Sequence, residues 1–212
     1  MNESAGVLSV IKDAFLISLE RIRGYFFLKR IGNHITVMGS ARVDKTLPLY
    51  QMAKSVGHSI ANNGFSVLTG GGPGLMQAAN QGAWEANKQS FGVSIKIPHE
   101  QKPNDFMNKN FFCQQFCSRK FLLIQHSDAI VFLPGGYGTF DELFETLTLI
   151  KTGRLQPKPL YLVGETFWKP MIGLMKDISK EYVTISDAEL SLMITVKCEK
   201  EFHDHLTQKH AS

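Results

Sequence analysis

The chain has little cysteine. Cys113, Cys117 and Cys198 are the only three in 212 residues. An odd, sparse set is not a disulfide framework, so the expected compartment is the reducing cytoplasm. Cys113 and Cys117 have no second Cys or His pair at zinc-ligand spacing, and no metal is expected. Long uncharged apolar runs are also missing. The apolar N-terminal stretch, residues 6–32, is interrupted by Lys12, Asp13, Glu20, Arg21 and Arg23. A helical bilayer span needs about 20 predominantly apolar residues, so no membrane association by spanning is expected. No basic segment precedes that stretch and no small-residue cleavage site follows it, which argues against a signal peptide. Neither sign of charge dominates: Lys and Arg number 23, Asp and Glu 19. The net charge of +4 suits an anionic small molecule. Without a basic-aromatic stripe, no nucleic acid is expected as a partner. There are no internal repeats, low-complexity tracts or linkers.

What is present is alternation. In the N-terminal stretch Leu8, Ile11, Phe15, Leu19, Ile22 and Phe26 recur at helical spacing. They predict a helix packed on its own domain or on a second subunit, with a membrane-surface helix as the sharper reading. Residues 1–30 are read as this accessory helix and residues 31–212 as the main domain. Strands are predicted at 34–39, 65–69, 91–97, 129–134 and 159–164, with a short edge strand at 192–196. Helices are predicted at 49–64, 75–87, 112–127, 139–153 and 165–181, with a final helix after 196. Residues 97–106 carry two prolines among polar residues and read as a loop. Apolar strands alternating with helices mean βαβ units. The fold class is therefore α/β, a Rossmann-like doubly wound parallel sheet with helices on both faces, plus the N-terminal accessory helix.

In such sheets ligands sit beyond the carboxyl ends of the strands. Three strand ends carry small residues: Gly39-Ser40, the run 70–74 with Gly71, Gly72 and Gly74, and the run 134–139 with Gly135, Gly136, Tyr137, Gly138 and Thr139. The second and third lead directly into helices. N–H groups exposed at a helix start, with no Cβ in the way, bind phosphate. The dinucleotide fingerprint does not follow the first strand, which gives "GSARVD", and no P-loop is present. A mononucleotide fits better than a dinucleotide or ATP, and no cofactor is expected.

Two side chains carry candidate chemistry. Thr139 and Glu142 have the spacing of a capping box, with Thr139 as N-cap. On that reading Glu142 stabilises the helix by up to about 1 kcal/mol and does nothing else. On the other reading it lies within a turn of the phosphate site, and the helix dipole keeps it ionised as a base that orients water. Arg119 and Lys120 form either a solvated basic patch or a phosphate-holding pair, since Arg grips phosphate bidentately. His126, His203, His205 and His210 show no ligand spacing.

Taken together, "PGGYGTFDE" (134–142), "SRK" (118–120) and "GGGPGLMQAAN" (70–80) resemble the LONELY GUY family. These are nucleoside 5′-monophosphate phosphoribohydrolases that are often labelled lysine decarboxylases. The decarboxylase label gains nothing from the sequence, which has no Ser-x-His-Lys type site for pyridoxal phosphate. The resemblance implies that Arg119 and Glu142 are the catalytic pair. It implies that Gly135, Gly136, Gly138 and Thr139 cradle a 5′-phosphate with Lys120 close by, and that Thr148 touches substrate. Glu100, in the segment 97–104 that resembles the long bacterial members, would lie beside the site. The implied substrate is AMP or a cytokinin riboside 5′-monophosphate, and the implied assembly a homodimer or higher homo-oligomer. The alternative of another class is a non-catalytic nucleotide or cofactor carrier of the same fold.

Overall fold

The computed structural model describes residues 3–95 and 102–210. Among them, in chain order, are α1 (Glu3–Ile31), β1 (His34–Met38), α2 (Pro48–Asn62), β2 (Ser66–Thr69), α3 (Leu75–Glu85), β3 (Ser90–Ile95), β4 (Lys109–Cys113), α4 (Phe116–Gln125), β5 (Ala129–Phe132), α5 (Tyr137–Lys151), β6 (Leu160–Val163), α6 (Glu165–Tyr182), α7 (Asp187–Leu190), β7 (Met193–Val196) and α8 (Glu199–His210). The strands form one sheet in the order β4-β3-β2-β1-β5-β6-β7, and every pairing is parallel.

The central strands β1, β2, β5 and β6 are buried along their whole length, as strands covered on both faces must be. Side chains alternate between the two faces. Ile35, Val37, Val67, Val131 and Val163 enter the core shared with α2, α3 and α8, where Val56, Ile60, Ala78 and Phe202 meet them. Met38, Leu68, Val93, Ile130 and Phe132 enter the opposite core with Leu122, Leu143 and Trp168. The two layers follow from continuously apolar strands whose successive side chains point to opposite faces.

The strand order sets the ligand position. From β1 the chain steps outward to β2, β3 and β4, then α4 carries it back across to β5 on the other side of β1. The order reverses between β1 and β5. Loops leaving their carboxyl ends diverge there and leave a crevice.

Two expectations need correction. Residues 112–127 do not form one helix. Lys109–Cys113 pair with β3 as an edge strand, from Phe91↔Lys109 to Ile95↔Cys113, and α4 begins only at Phe116. The strand's side chains are mostly half-exposed, so no buried run marked it. The four-residue helix α7 was also not foreseen; its Ser186 and Glu189 make a true capping box.

Helix α1 docks through its C-terminal part. Leu28 is buried, Glu20 accepts from the Gln114 N–H at 2.6 Å, and Arg21 lies over the Phe121 ring at 4.5 Å. Leu8, Ile11, Phe15, Ile22 and Phe26, the predicted apolar face, are exposed. No helix among the described residues is long and apolar enough to cross a membrane.

Candidate active site

A cleft of about 580 Å³ opens at the β1/β5 switch point. Its walls include Gly39 and Ser40 after β1, Gly136 to Phe140 at the start of α5, and Arg119 and Glu142. Gly39 permits the close packing there, since a Cβ would come within 3.1 Å of both the Leu133 and Leu75 Cβ atoms. Ser40 ties three elements together. Its N–H donates to Pro134 O at 3.2 Å, and its carbonyl accepts from Leu75 N–H, the first amide of α3, at 2.8 Å.

The start of α5 corrects the capping-box reading. The N-cap is Gly136, not Thr139, and no side chain caps it. Thr139 is thus the third helical residue and Glu142 sits in the second turn, out of reach of the N-cap amide. The Thr139 and Phe140 N–H groups bond to Gly136 O at 3.0 and 3.1 Å. The N–H groups of Gly136, Tyr137 and Gly138 have no acceptor among the described residues. Three unpaired amides at a helix N-terminus, facing an open cleft, are suited to hold an anion.

Released from capping, Glu142 faces Arg119. Arg119 Nη1 lies 3.4 Å from Glu142 Oε1, and the side chains are only 15% and 12% exposed. The guanidinium is fixed from two further sides. Its Nε donates to Val93 O at 3.1 Å at the end of β3. Its Nη2 rests on Gly70, where a Cβ would stand 2.0 Å away. Burial holds the Glu142 carboxyl above the ordinary carboxylate range, with Arg119 and then Lys120 pulling the other way. Contrary to the expectation from the sequence, the helix dipole does not set the ionisation of Glu142, because past the first turn the dipole weakens and desolvation dominates. A carboxylate of raised pKa is a stronger base near neutrality. Helix α4, which carries Arg119, is itself anchored. Lys158 Nζ donates to the carbonyls of Ile124, Gln125 and Ser127 at 3.0, 3.2 and 2.6 Å, and burial brings its pKa down to about 8.

The glycine run after β2 is built differently. Thr69 Oγ1 accepts from Gly71 N–H at 2.9 Å and donates to Asn80 Oδ1 at 2.7 Å. Asn104 Nδ2 donates to Gly72 O at 3.0 Å and to Asn80 Oδ1 at 3.0 Å. Asn80, fully buried, donates to Ser90 Oγ and Phe91 O. Gly71 and Gly72 line a second chamber of about 320 Å³, which shares Ala41, Gly70, Met76 and Arg119 with the main cleft. Gly74 packs, at φ +65°, with a Cβ position only 2.4 Å from Ser40 O.

The remaining expected residues fall elsewhere. Lys120 bridges Asp141 at 2.6 Å and Glu145 at 2.7 Å and lines neither chamber. Burial works against its charge, yet these two carboxylates hold its pKa above the ordinary lysine value. Gly135 makes room for Thr139, whose Oγ1 lies 2.1 Å from where its Cβ would be. Thr148 Oγ1 donates to Phe144 O, and the residue borders an apolar groove with Met175 and Leu190. Glu100 lies outside the described residues. Among the described residues no cluster of His, Cys, Asp and Glu could hold a metal. Sequence reasoning missed Arg42, Met76, Asn80 and Asn104. Arg42 stood as a basic residue just past the Gly39-Ser40 turn, and Met76 and Asn80 lie within the glycine-led run 70–80.

The sheet order and its switch-point cleft define a Rossmann-like α/β protein. The chain belongs to the LONELY GUY family, whose family description reads possible lysine decarboxylase and whose pattern matches residues 76–206. It is similar to a cytokinin riboside 5′-monophosphate phosphoribohydrolase of Arabidopsis thaliana, 25% identical over 186 residues, or 85% of this chain and 84% of the relative. An uncharacterized protein of Archaeoglobus fulgidus is 32% identical over 111 residues, 51% of this chain and 70% of the relative. Among solved structures, the molybdenum cofactor carrier protein of Chlamydomonas reinhardtii superposes with a TM-score of 0.63 at 23% identity, over 85% of this chain and 99% of that one. At that identity the likeness concerns the fold alone.

Proposed function

We propose that this protein hydrolyses the N-glycosidic bond of a purine nucleoside 5′-monophosphate, releasing free base and ribose 5-phosphate. The carrying observation is the buried Glu142 carboxyl, 3.4 Å from Arg119, on the wall of a cleft that also holds the unpaired amides of α5. The 5′-phosphate rests on the Gly136, Tyr137 and Gly138 amides and supplies binding energy remote from the bond that breaks. Glu142 takes a proton from water as the water oxygen bonds to C1′. The glycosidic electron pair leaves with the base nitrogen, which is reprotonated from solvent. The ionised carboxylate also offsets the cationic character that develops on the ribose. Arg119 is a positioning residue, holding the Glu142 carboxyl in place. The family relatives named as phosphoribohydrolases support the reading, with AMP and cytokinin riboside monophosphates as the substrates to try first. The reading includes a cytoplasmic homo-oligomer, for which the exposed apolar face of α1 offers a contact surface. Light scattering after size exclusion would measure that assembly.

A carrier of the same fold would use the loops but has no need of a buried Glu142. Chromatographic assay of free base separates the two. Wild type should release base from AMP or from N6-isopentenyladenosine monophosphate, and Glu142→Gln should lose about a hundredfold or more with its melting transition intact. Binding of both nucleotides without release by wild type would leave the carrier reading standing.

A further inference from the structure

We infer that Arg42 is the cation that grips the substrate phosphate, in place of Lys120; this rests on the phosphoribohydrolase reading and completes its phosphate site. A phosphomonoester brings about −1.5 to −2 charges at neutral pH. Each cation expected to meet it is already engaged. The Arg119 guanidinium is divided among Val93 O, Gly70 and Glu142. Lys120 sits between Asp141 and Glu145 and lines neither chamber.

Arg42 lines the main cleft with Gly136, Tyr137 and Gly138. Its side chain is exposed and pairs with no acid among the described residues. Its backbone is fixed. The Arg42 N–H donates to Ser40 Oγ at 3.1 Å, and Ser40 N–H donates to Pro134 O just before the α5 amides. The residue therefore leaves a rigid turn beside the anion-holding helix start. Lys102, also without an acidic partner, lines the other chamber. A guanidinium can take two phosphate oxygens at once while the α5 amides take the third.

The test is equilibrium binding by calorimetry, on the full chain, with ribose 5-phosphate, AMP and adenosine. Arg42→Ala should weaken ribose 5-phosphate and AMP by about 10- to 100-fold, the usual range for losing a charge-assisted pair, and leave adenosine unchanged. Arg42→Lys should recover part of the loss. Lys45→Ala, an equal charge removed three residues away, should stay within about twofold, because a surface charge acts only through a screened field. The inference is overturned if Arg42→Ala binds ribose 5-phosphate as wild type does. It is equally overturned if Lys45→Ala loses as much, or if wild type does not bind ribose 5-phosphate at all. Binding does not require turnover. A wild type that binds but releases no base defeats the hydrolase reading while the Arg42 comparison still reads out.

Discussion

The two glycine-rich turns, 70–74 and 134–138, look alike in sequence and do different things in the fold. Each follows a buried strand and opens a helix. In the first, Gly71 N–H is held by Thr69, the Gly72 carbonyl by Asn104, and the leading amide of α3 by Ser40. In the second, the consecutive N–H groups of Gly136, Tyr137 and Gly138 have no acceptor among the described residues, whereas in the first only the separated Gly70, Gly72 and Gly74 N–H groups lack one. The first turn is a scaffold that seats Arg119 against Gly70. The second is the turn we propose as the receptor for an anion. Glycine count reports that the backbone can come close to something; whether that is protein or ligand depends on where the amides point.

The comparison can be broken on either side. The largest effect belongs to the receptor side, where Glu142→Gln removes about a hundredfold or more of base release. On the scaffold side, Asn80→Ala strips buried partners from Thr69, Asn104 and Ser90. Urea unfolding should show a loss of about 3 kcal/mol, the cost of leaving buried polar groups unpaired. Next comes the matched pair of glycines. Gly74→Ala should cost about 2 to 3 kcal/mol, because it forces a positive-φ position and meets Ser40 O. Gly138→Ala meets no protein atom and should raise stability by up to about 1 kcal/mol while weakening AMP binding. Reversed results for the two would erase the distinction between scaffold and receptor.

The smallest effect is a pH dependence. Burial holds the Glu142 carboxyl above its unfolded value of 4.5, so the folded state keeps that proton longer than the unfolded chain does. Its ionised form therefore costs stability, and the cost grows as pH rises from that value through the raised folded one. Glu142→Gln should melt higher than wild type at neutral pH, and the gap should close as pH falls toward 4.5. A gap that widens on acidification would mean that Arg119 outweighs burial.

Much of the main architecture was legible because it depends on local pattern. Continuous apolar strands announced a covered parallel sheet, and glycine runs at their ends announced close backbone approach. What stayed hidden was set by partners distant in sequence. Strand β4 carries half-exposed side chains, so only its pairing with β3 makes it a strand. Thr139 and Glu142 obey the capping-box spacing, yet Gly136 is the N-cap and the helix already runs from Tyr137. The sequence leaves Lys120 as either a solvated basic residue or a phosphate ligand, and only the docking of α5 shows it paired with Asp141 and Glu145.

The sequence by itself determined the layered α/β class and the short set of residues from which a site could be made, since apolar period and glycine placement act over a few residues. Only the tertiary structure decided which glycine turn keeps three consecutive amides without an acceptor among the described residues, that Glu142 faces Arg119 rather than its own helix cap, and that Arg42 has no acidic partner among those residues. Those outcomes turn on hydrogen bonds and charge pairs between segments far apart in the chain, such as the 23 residues between Arg119 and Glu142, and no local pattern encodes them.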